Sequence, residues 1–396
     1  MSDNGTDNMV RVVVVSPFTK QAGGAELSLL HLFEHGRGLG VKWSLAVTQD
    51  GPMRERVAAM GVPTKVVGGG RVSRPHEHLA GVTRLARFAR RQNANVILSW
   101  NNHNHLLGYP AAKLAGTRSA WFQKGGVEPA SRRQRLLCRL PSDAVFANSL
   151  FTAREQFPMV SDRPMFVAPS GVDPNVFNPS VLGTPGECRR RLGLPEDGPL
   201  IVTVGRMQFW KGMHVVIAAM ARVRRHVPDA KLVIVGGPFA AEPGYESRLR
   251  QDVADANLEA NVIFAGAVDH DEVPRYMQAA EVIVHASRRE PFGIVVVEAM
   301  TLGKPTVAAD RGGPVEIITH GVDGLLAPFG NEAKLAETLV SILSDLAFAK
   351  QLGAAAKQRA ADFTTAVFAR RVADAARAVC YPPPVGVYLD GKEVAL

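Results

Sequence analysis

Two glutamates, Glu290 and Glu298, stand eight positions apart in the stretch ASRREPFGIVVVEAM, residues 286–300. A Pro-Phe-Gly turn separates them, and the residues around them are apolar enough to be buried. A buried carboxylate is strongly destabilising unless a cation or hydrogen-bond donors pair with it. The spacing therefore predicts two carboxylates whose partners come from the protein or from a ligand.

Cationic residues form a second group that could do chemistry. The segment VGRMQFWKG (204–212) follows a predicted strand and places Arg206 and Lys211 in the loop at its carboxyl end. Two cations there suit a diphosphate, although a solvated loop with two basic residues is the alternative. Gly23 and Gly24 follow the first predicted strand, where glycine lets helix N-terminal N–H groups approach an anion.

The segment IVVVEAMTLG predicts a short helix that begins after Gly293 and ends at Gly303. N–H groups near Gly293 and Ile294 would then point toward a ligand, with Glu298 in the first turns. The alternative is that Glu290 and Glu298 only satisfy the helix N-terminus and its dipole.

These residues need elements to position them, and the sequence repeats one pattern twice. The run VRVVVVSP (10–17) precedes a Gly-Gly pair and a helical pattern, and the second half restarts with LIVTVGR (200–206). Continuous apolar strands alternating with helices indicate parallel sheets covered on both faces, with ligands at the carboxyl ends of the strands. The predicted fold is α/β, with two Rossmann-like α/β/α domains and a cleft between them.

The domain boundary is predicted where the strand and helix pattern lapses, in the Pro- and Gly-rich segment 170–199. This gives an N-terminal domain, 1–178, and a C-terminal domain, 179–380. A tail of about 381–396 could pack back on the first domain.

Composition and cysteine content exclude several classes of protein. The chain has 396 residues and 46% hydrophobic content, which is typical of a globular protein of two or three domains. The polar start MSDNGTDN lacks the order of a signal peptide, and the apolar runs are far shorter than a membrane span, which predicts a cytoplasmic protein. Three scattered cysteines fit neither a disulfide framework nor a zinc site.

Positive charge is concentrated in the first half. Residues 1–178 contain 22 Lys and Arg against 12 Asp and Glu, a net charge of +10. This favours an anionic acceptor or a membrane surface; no motif of a nucleic-acid-binding fold accompanies the charge. Basic amphipathic segments at 79–92 and 131–141 could lie peripherally on the inner face of the membrane, or be ordinary surface helices.

Two segments imitate metal sites. Asp269 of DHD, with Glu272 three positions later, predicts a helix capping box. His103 and His105 of NNHNH have no third ligand nearby in the sequence. No metal site is predicted.

The ordered set of motifs resembles the retaining family 4 glycosyltransferases of the GT-B fold, also called glycosyl transferases group 1. The resemblance covers about residues 10–375, and the motifs are Gly23-Gly24-Ala25-Glu26, VFANSLFT, VAPSGVD, VGRMQFWKG, LVIVGGP, the E-x7-E of Glu290 and Glu298, RGGPVEII and GVDGLLAP. It implies a metal-independent hexosyltransferase that moves a sugar from a nucleotide diphosphate sugar to an acceptor hydroxyl with retention. UDP-sugar is favoured over GDP-sugar, and since the nucleotide sugar is a substrate, no cofactor is implied.

The acceptor stays open between a small molecule and a lipid-linked or glycan acceptor. Family members are described by attack on the same face of the sugar, so a carboxylate nucleophile is not required. Two alternatives are a nucleotide-sugar epimerase or hydrolase on the same fold and a non-catalytic sugar-nucleotide-binding protein.

Carried over by position, the resemblance assigns Arg206 and Lys211 to the donor diphosphate, and Glu290 to the transferred sugar. These three are the predicted catalytic residues. The resemblance gives Glu298 the ribose hydroxyls. The other predicted donor-binding residues are Gly23, Gly24, Phe292, Gly293 and Ile294.

One departure from the family concerns the acceptor side. Many relatives carry a histidine where the ungapped match here places Lys124, preceded by Gln123. A protonated lysine cannot accept a proton as neutral imidazole can. The alternative is that His103 reaches the same space. The acceptor-side candidates are Glu26, Asn102, His103, Gln123 and Lys124.

Overall fold

The computed structural model describes residues 9–17, 23–69, 73–126 and 131–396. The chain divides into two compact units. The first unit contains the residues up to Gly171 together with the C-terminal segment Thr365–Leu396, and the second unit is Val172–Thr364.

Fifteen strands lie in the described residues. In chain order they are β1 (Val10–Ser16), β2 (Val41–Val47), β3 (Thr64–Val66), β4 (Val96–Ser99), β5 (Arg118–Gln123), β6 (Ala144–Ala147), β7 (Met165–Val167), β8 (Leu200–Val204), β9 (Lys231–Val235), β10 (Val262–Gly266), β11 (Val282–His285), β12 (Thr306–Ala309), β13 (Leu325–Ala327), β14 (Val387–Leu389) and β15 (Lys392–Glu393).

The helices of the described residues are α1 (Gly24–His35), α2 (Pro52–Ala59), α3 (Pro75–Arg91), α4 (His105–Ala115), α5 (Arg132–Cys138), α6 (Leu150–Gln156), α7 (Pro179–Leu182), α8 (Pro185–Leu192), α9 (Met213–His226), α10 (Tyr245–Asp255), α11 (Val273–Ala279), α12 (Ile294–Thr301), α13 (Pro314–Ile317), α14 (Glu332–Ser344), α15 (Leu346–Ala360) and α16 (Thr365–Cys380).

The first unit is built on a nine-stranded sheet with the order β15-β14-β7-β6-β5-β4-β1-β2-β3. Its strands pair in parallel except β14 with β15. The strands are buried apolar runs, as parallel strands covered on both faces must be. Their carboxyl ends therefore lie along one edge of this sheet.

The second unit has a six-stranded sheet of order β10-β9-β8-β11-β12-β13, and every described pairing in it is parallel. From β8 the chain adds β9 and β10 on one side and then returns to add β11, β12 and β13 on the other side, so the strand order reverses between β8 and β11. In sheets of this kind, ligands bind outside the carboxyl ends of the strands at the reversal. The predicted fold class, α/β with two Rossmann-like domains, is confirmed.

The limits of the two units differ from those predicted. The first break lies after Gly171 rather than near residue 179, because the Pro- and Gly-rich linker packs with the second unit through buried Phe177 and Cys188. The chain rejoins the first unit at Thr365, not at about 381, because α16 buries an apolar face that includes Phe368 and Val372 in the core of the first unit.

The C-terminal tail adds a strand to the first unit. Val387, Tyr388 and Leu389 of β14 pair in parallel with β7. The Tyr388 ring lies 5.8 Å from the ring of Phe166. The tail thus extends the sheet that α16 already covers.

No single helix in the described part of the chain is both long and apolar enough to cross a membrane. The pair formed by Glu332–Ser344 and Leu346–Phe363 passes the same criteria only when joined, and it is bent by 101°.

Candidate active site

The loops that follow β8 and β11 meet at the reversal of the second sheet. The loop after β8 turns at Gly212, whose φ is 73°, and a Cβ there would lie 2.0 Å from the Ala286 carbonyl oxygen. The Arg288 N–H donates to the Trp210 carbonyl at 2.7 Å. Only glycine at position 212 allows these two loops to pack this closely.

This packing brings Lys211 and Glu290 together. Lys211 Nζ lies 2.6 Å from Glu290 Oε2, and His285 Nε2 lies 3.1 Å from the same oxygen. The side chains of Lys211 and Glu290 are 15% and 12% exposed, so the pair is largely shielded from water. Charge-assisted hydrogen bonds are stronger in such a setting than at an exposed surface.

The two contacts decide the charge of Glu290. Burial alone would raise the pKa of this carboxyl, but the Lys211 ammonium and the hydrogen bond from His285 lower the pKa to about 2. Glu290 is therefore an ionised acceptor at neutral pH. Such a carboxylate suits a ligand that presents hydroxyl donors.

Glu298 lies on α12 and is 4% exposed. Burial raises the pKa of its carboxyl to about 7, and the charge of Lys211 opposes part of that rise. The two glutamates thus differ in protonation although Lys211 influences both. Glu298 changes charge near neutral pH, whereas Glu290 does not.

Glycines also shape the start of α12. Gly293, with φ of 104°, is the N-cap residue. The Gly313 N–H donates to the Glu290 carbonyl at 2.8 Å, and a Cβ on Gly312 would lie 2.3 Å from that oxygen. The RGGP loop after β12 thereby supports the Glu290 loop. The backbone N–H groups at the start of α12, including that of Ile294, form the positive end of the helix dipole.

Phe292 has a structural side chain. It is 4% exposed, and its ring lies 5.9 Å from the ring of Phe363. Any ligand contact of Phe292 would therefore be made by its backbone. The buried ring fixes the position of the loop that carries Glu290.

Arg206 leaves β8 in the same loop as Lys211 but is exposed. Its guanidinium Cζ lies 5.1 Å from the centroid of the Phe239 ring. Among the described residues Arg206 forms no salt bridge. It is thus a cation without a carboxylate partner beside a site where Lys211 has one.

In the first unit, Gly23 and Gly24 stand at the start of α1. Gly23 is the N-cap residue in extended conformation, and a Cβ there would lie 3.2 Å from Glu26 Oε2 in the first turn. Both glycines are exposed, and Glu26 is half-buried. Residues 18–22 of the predicted glycine loop lie outside the described residues.

Gln123 ends β5 and Lys124 follows it, and both direct their polar groups inward. Lys124 Nζ is buried, with the ring centroids of Trp100, Phe122 and Phe368 at 4.9, 4.0 and 4.5 Å. It has no hydrogen-bond partner among the described residues, and burial lowers its pKa well below the ordinary value. Gln123 Nε2 donates to the Gly125 carbonyl at 2.8 Å.

The segment NNHNH forms the turn before α4. Asn102 and His103 are half-buried, and their carbonyls accept from the N–H groups of His105 and Leu106. His105 Nε2 lies 2.9 Å from the Pro141 carbonyl oxygen, and burial lowers its pKa to about 4. His105 is a structural histidine. His103 remains an acceptor-side candidate.

The capping box predicted at DHD does not form. Asp269 makes no side-chain cap hydrogen bond to the turn that follows it. The Glu272 carboxylate instead pairs with Arg275 at 3.0 Å and with Arg191 at 3.4 Å. Two arginines are stronger partners for this carboxylate than a backbone N–H.

Sequence reasoning missed His285 and Trp210. His285, 3% exposed, ends the otherwise apolar strand VIVH, and that position was the available signal. Lys211 Nζ lies 4.3 Å from the centroid of the Trp210 ring, which is a cation–π contact. Both residues fix the charged pair in place.

The geometry can be compared with known proteins. Residues 186–359 match the family model described as Glycosyl transferases group 1. The D-inositol 3-phosphate glycosyltransferase of Frankia alni is 35% identical over 230 residues, which are 57% of this chain and 56% of the relative. The enzyme of the same name from Jonesia denitrificans is 33% identical over 229 residues, 56% and 54% of the two chains. The match thus spans about half the length of these relatives.

Solved structures extend the likeness of fold to nearly the whole chain. HepE of Anabaena, in complex with UDP and glucose, has a TM-score of 0.78 and 24% identity, and the alignment covers 92% of this chain and 99% of HepE. A glycosyltransferase from Rickettsia africae has a TM-score of 0.83 and 20% identity over 95% and 100% of the two chains. The predicted GT-B fold is confirmed, and the predicted resemblance is supported by the match of residues 186–359 to the glycosyl transferases group 1 model.

Proposed function

We propose that this protein is a retaining glycosyltransferase that moves a sugar from a nucleotide diphosphate sugar to an acceptor hydroxyl. The observation that carries the proposal is the cluster of Lys211, Glu290 and Glu298 at the strand-order reversal of the second sheet. This is where an α/β sheet of this order binds a nucleotide. The group 1 match of the same unit supports it.

The cations near the cluster suit the transfer of a sugar away from a diphosphate. As the glycosidic bond breaks, negative charge grows on the departing diphosphate, and cations fixed in advance stabilise that charge more than they stabilise the ground state. Arg206 and Lys211 take this role, with the N-terminus of α12 beside them. A resident metal ion is not required in this scheme.

The two glutamates take the hydroxyl groups of the donor. Glu290, ionised through Lys211 and His285, accepts from hydroxyls of the transferred sugar. Glu298 accepts from the ribose. UDP is the favoured nucleotide, supported by the similar fold of HepE, which was solved with UDP and with UDP-glucose.

The acceptor is proposed to contact the first unit. Gln123 ends β5, and Asn102 and His103 follow the carboxyl end of β4, which is where ligands of such parallel sheets bind. The relatives named D-inositol 3-phosphate glycosyltransferases make an anionic polyol a reasonable first acceptor to test. Glu26 is a further candidate in the same unit.

The test is an incubation with a panel of UDP- and GDP-sugars, with and without inositol phosphates, in the presence of EDTA. We expect free nucleotide only when the right donor and acceptor are both present, and a product whose anomeric configuration by NMR equals that of the donor. Nucleotide release without acceptor indicates a hydrolase, and conversion of the sugar without release indicates an epimerase. Loss of transfer in EDTA that Mg²⁺ or Mn²⁺ restores would contradict the metal-free scheme.

A further inference from the structure

An apolar groove lies on the first unit between α3 and α4. The two helices run side by side in the same direction, since His78 Nε2 of α3 lies 3.3 Å from the Leu106 carbonyl oxygen and the Arg90 guanidinium donates to the Leu114 carbonyl. The groove between them has a volume of about 590 Å³. It does not involve the residues of the candidate active site.

The groove exposes large apolar side chains. Leu79 of α3 is 64% exposed and Leu114 of α4 is 49% exposed, and both line the groove together with Val82 and Tyr109. Burying two such leucines would be favourable for any apolar partner. A contiguous apolar patch on a soluble domain marks an interaction site more often than scattered single residues do.

One cation, Lys113, lines the groove, and further cations lie on the two helices almost without counter-charge. The sequences of α3 and α4 contain Arg84, Arg87, Arg90, Arg91 and Lys113. Their one carboxylate, Glu77, lies in the first turn of α3 and pairs with Arg74 at 3.1 Å. The positive charge of α3 is therefore concentrated in its carboxyl-terminal half, where Arg90 reaches the Leu114 carbonyl, whereas Leu79 lies nearer the start of the helix.

Further positive charge lies at the same end of α3. A second depression, of about 710 Å³, is lined by Arg91 together with Arg11, Arg37 and Lys42, and by no Asp or Glu among the described residues. Anionic groups would gather around this end of the helix. A second copy of this chain would place the same cations against them, so charge disfavours a symmetric dimer through this face.

We propose that the groove between α3 and α4 is a docking surface for an anionic lipid bilayer. Leu79 and Leu114 enter the acyl region, while Arg87, Arg91 and Lys113 contact anionic head groups. An apolar groove alone fits many partners, but exposed leucines on two helices whose cations have no carboxylate partner among the described residues match the chemistry of an anionic bilayer.

The test is co-sedimentation of the full chain with phosphatidylglycerol vesicles and with phosphatidylcholine vesicles. We expect binding to the former, weaker binding at higher salt, and little binding to the latter. Leu79→Ser with Leu114→Ser should weaken binding at least ten-fold. Arg87→Gln and Lys113→Gln should each weaken it about five-fold, the effect of about 1 kcal/mol per surface cation.

Matched controls come from the second unit. Leu346→Ser removes a leucine that is 77% exposed, and Arg225→Gln and Lys350→Gln each remove an exposed cation. We expect these three variants to bind phosphatidylglycerol like wild type, with all variants checked for folding by circular dichroism.

Three results would overturn the proposal. One is a wild-type protein that does not bind phosphatidylglycerol vesicles, and another is a groove variant that binds like its control. The third is a wild-type dimer in analytical ultracentrifugation that the double leucine variant abolishes, without vesicle binding. That result would assign the groove to a second copy.

Discussion

Lys211 Nζ lies 2.6 Å from Glu290 Oε2, and His285 Nε2 approaches the same oxygen to 3.1 Å. One carboxylate oxygen thus receives a cation from the loop after β8 and a ring nitrogen from the end of β11. The arrangement links the two strands at which the sheet order reverses. It keeps Glu290 ionised and holds Lys211 beside the proposed diphosphate site.

Lys211→Ala should lower turnover about 100-fold or more, which is the scale of losing a group that stabilises developing charge. It also removes the main counter-charge of Glu290, so the pKa of that carboxyl should rise. The measurements are steady-state transfer and the pH dependence of unfolding. In wild type, stability supplied by Glu290 should be present above about pH 4.5 and lost as the pH falls toward about 2.

Lys350→Ala is the control for this change, because Lys350 is an exposed lysine on α15. We expect its turnover to equal that of wild type. If Lys211→Ala also retains near-normal turnover, Lys211 does not serve the departing phosphate.

The affinity for UDP should depend on the charge of Glu298. Burial raises the pKa of this carboxyl to about 7, and ribose hydroxyls donate to its ionised form, so binding must release a proton below that pH. We expect the Kd for UDP to rise about ten-fold between pH 8 and pH 6 and calorimetry at pH 6 to show proton release.

Glu298→Gln is the matched variant for that titration. It should bind UDP more weakly at pH 8 and keep only the pH dependence of the UDP phosphates. Glu290→Gln should instead leave the Kd for UDP nearly unchanged and lower turnover. A wild-type Kd as flat with pH as that of Glu298→Gln would show that Glu298 does not bind the nucleotide as a carboxylate.

The strand and helix order was predictable, because continuous apolar runs between glycine and proline punctuation specify buried parallel strands. The sequence also indicated that Glu290, Glu298 and Lys211 belong near one another, since all three follow strands of one predicted sheet. The pairing of β8 with β11 could not be predicted from the sequence, because it joins strands that are far apart in the chain. It is this order that makes Lys211 a direct partner of Glu290.

The direction of individual side chains could not be predicted from the sequence for a related reason. Lys124 follows a strand and is polar, which suggests a surface position, yet Trp100 after β4, Phe122 of β5 and Phe368 of α16 enclose its amine. The contact with Phe368 depends on α16 returning to the first unit. A pattern read locally cannot contain that contact.

Gly212→Ala should destabilise the second unit more than Gly244→Ala does. Both glycines have positive φ, 73° and 87°, so both substitutions strain the backbone. A Cβ at Gly212 would lie 2.0 Å from the Ala286 carbonyl, whereas nothing lies within 4 Å of a Cβ at Gly244. We expect a loss of about 1 kcal/mol for Gly244→Ala and at least about 1 kcal/mol more for Gly212→Ala.

Urea unfolding followed by fluorescence measures both free energies. UDP affinity should also fall only in Gly212→Ala, because the change separates the loops that carry Lys211 and Glu290. Equal losses in the two variants would mean that the loop contact at Ala286 adapts without cost.

Lys124→Met should raise the free energy of unfolding, although it replaces a polar residue by an apolar one. The rings around Nζ attract a desolvated ammonium by about 2 kcal/mol or more, but burying an ion without a hydrogen-bond acceptor costs far more, and burial lowers the pKa of Lys124. The folded state binds this proton less tightly than the unfolded state. Stability from this site therefore rises with pH from the lowered pKa up to about 10.4.

The gain in Lys124→Met should accordingly be largest at low pH and shrink as the pH approaches 10.4. Transfer activity then separates structure from substrate contact, with His103→Ala as the comparison. If Lys124 reaches substrate as the family resemblance implies, Lys124→Met will be more stable yet strongly impaired in transfer, with an unchanged Kd for UDP. If His103→Ala is the more damaging change, His103 occupies the family histidine's place, and Lys124 belongs to the core. A Lys124→Met protein that is less stable than wild type at pH 7 would contradict the buried position of the amine itself.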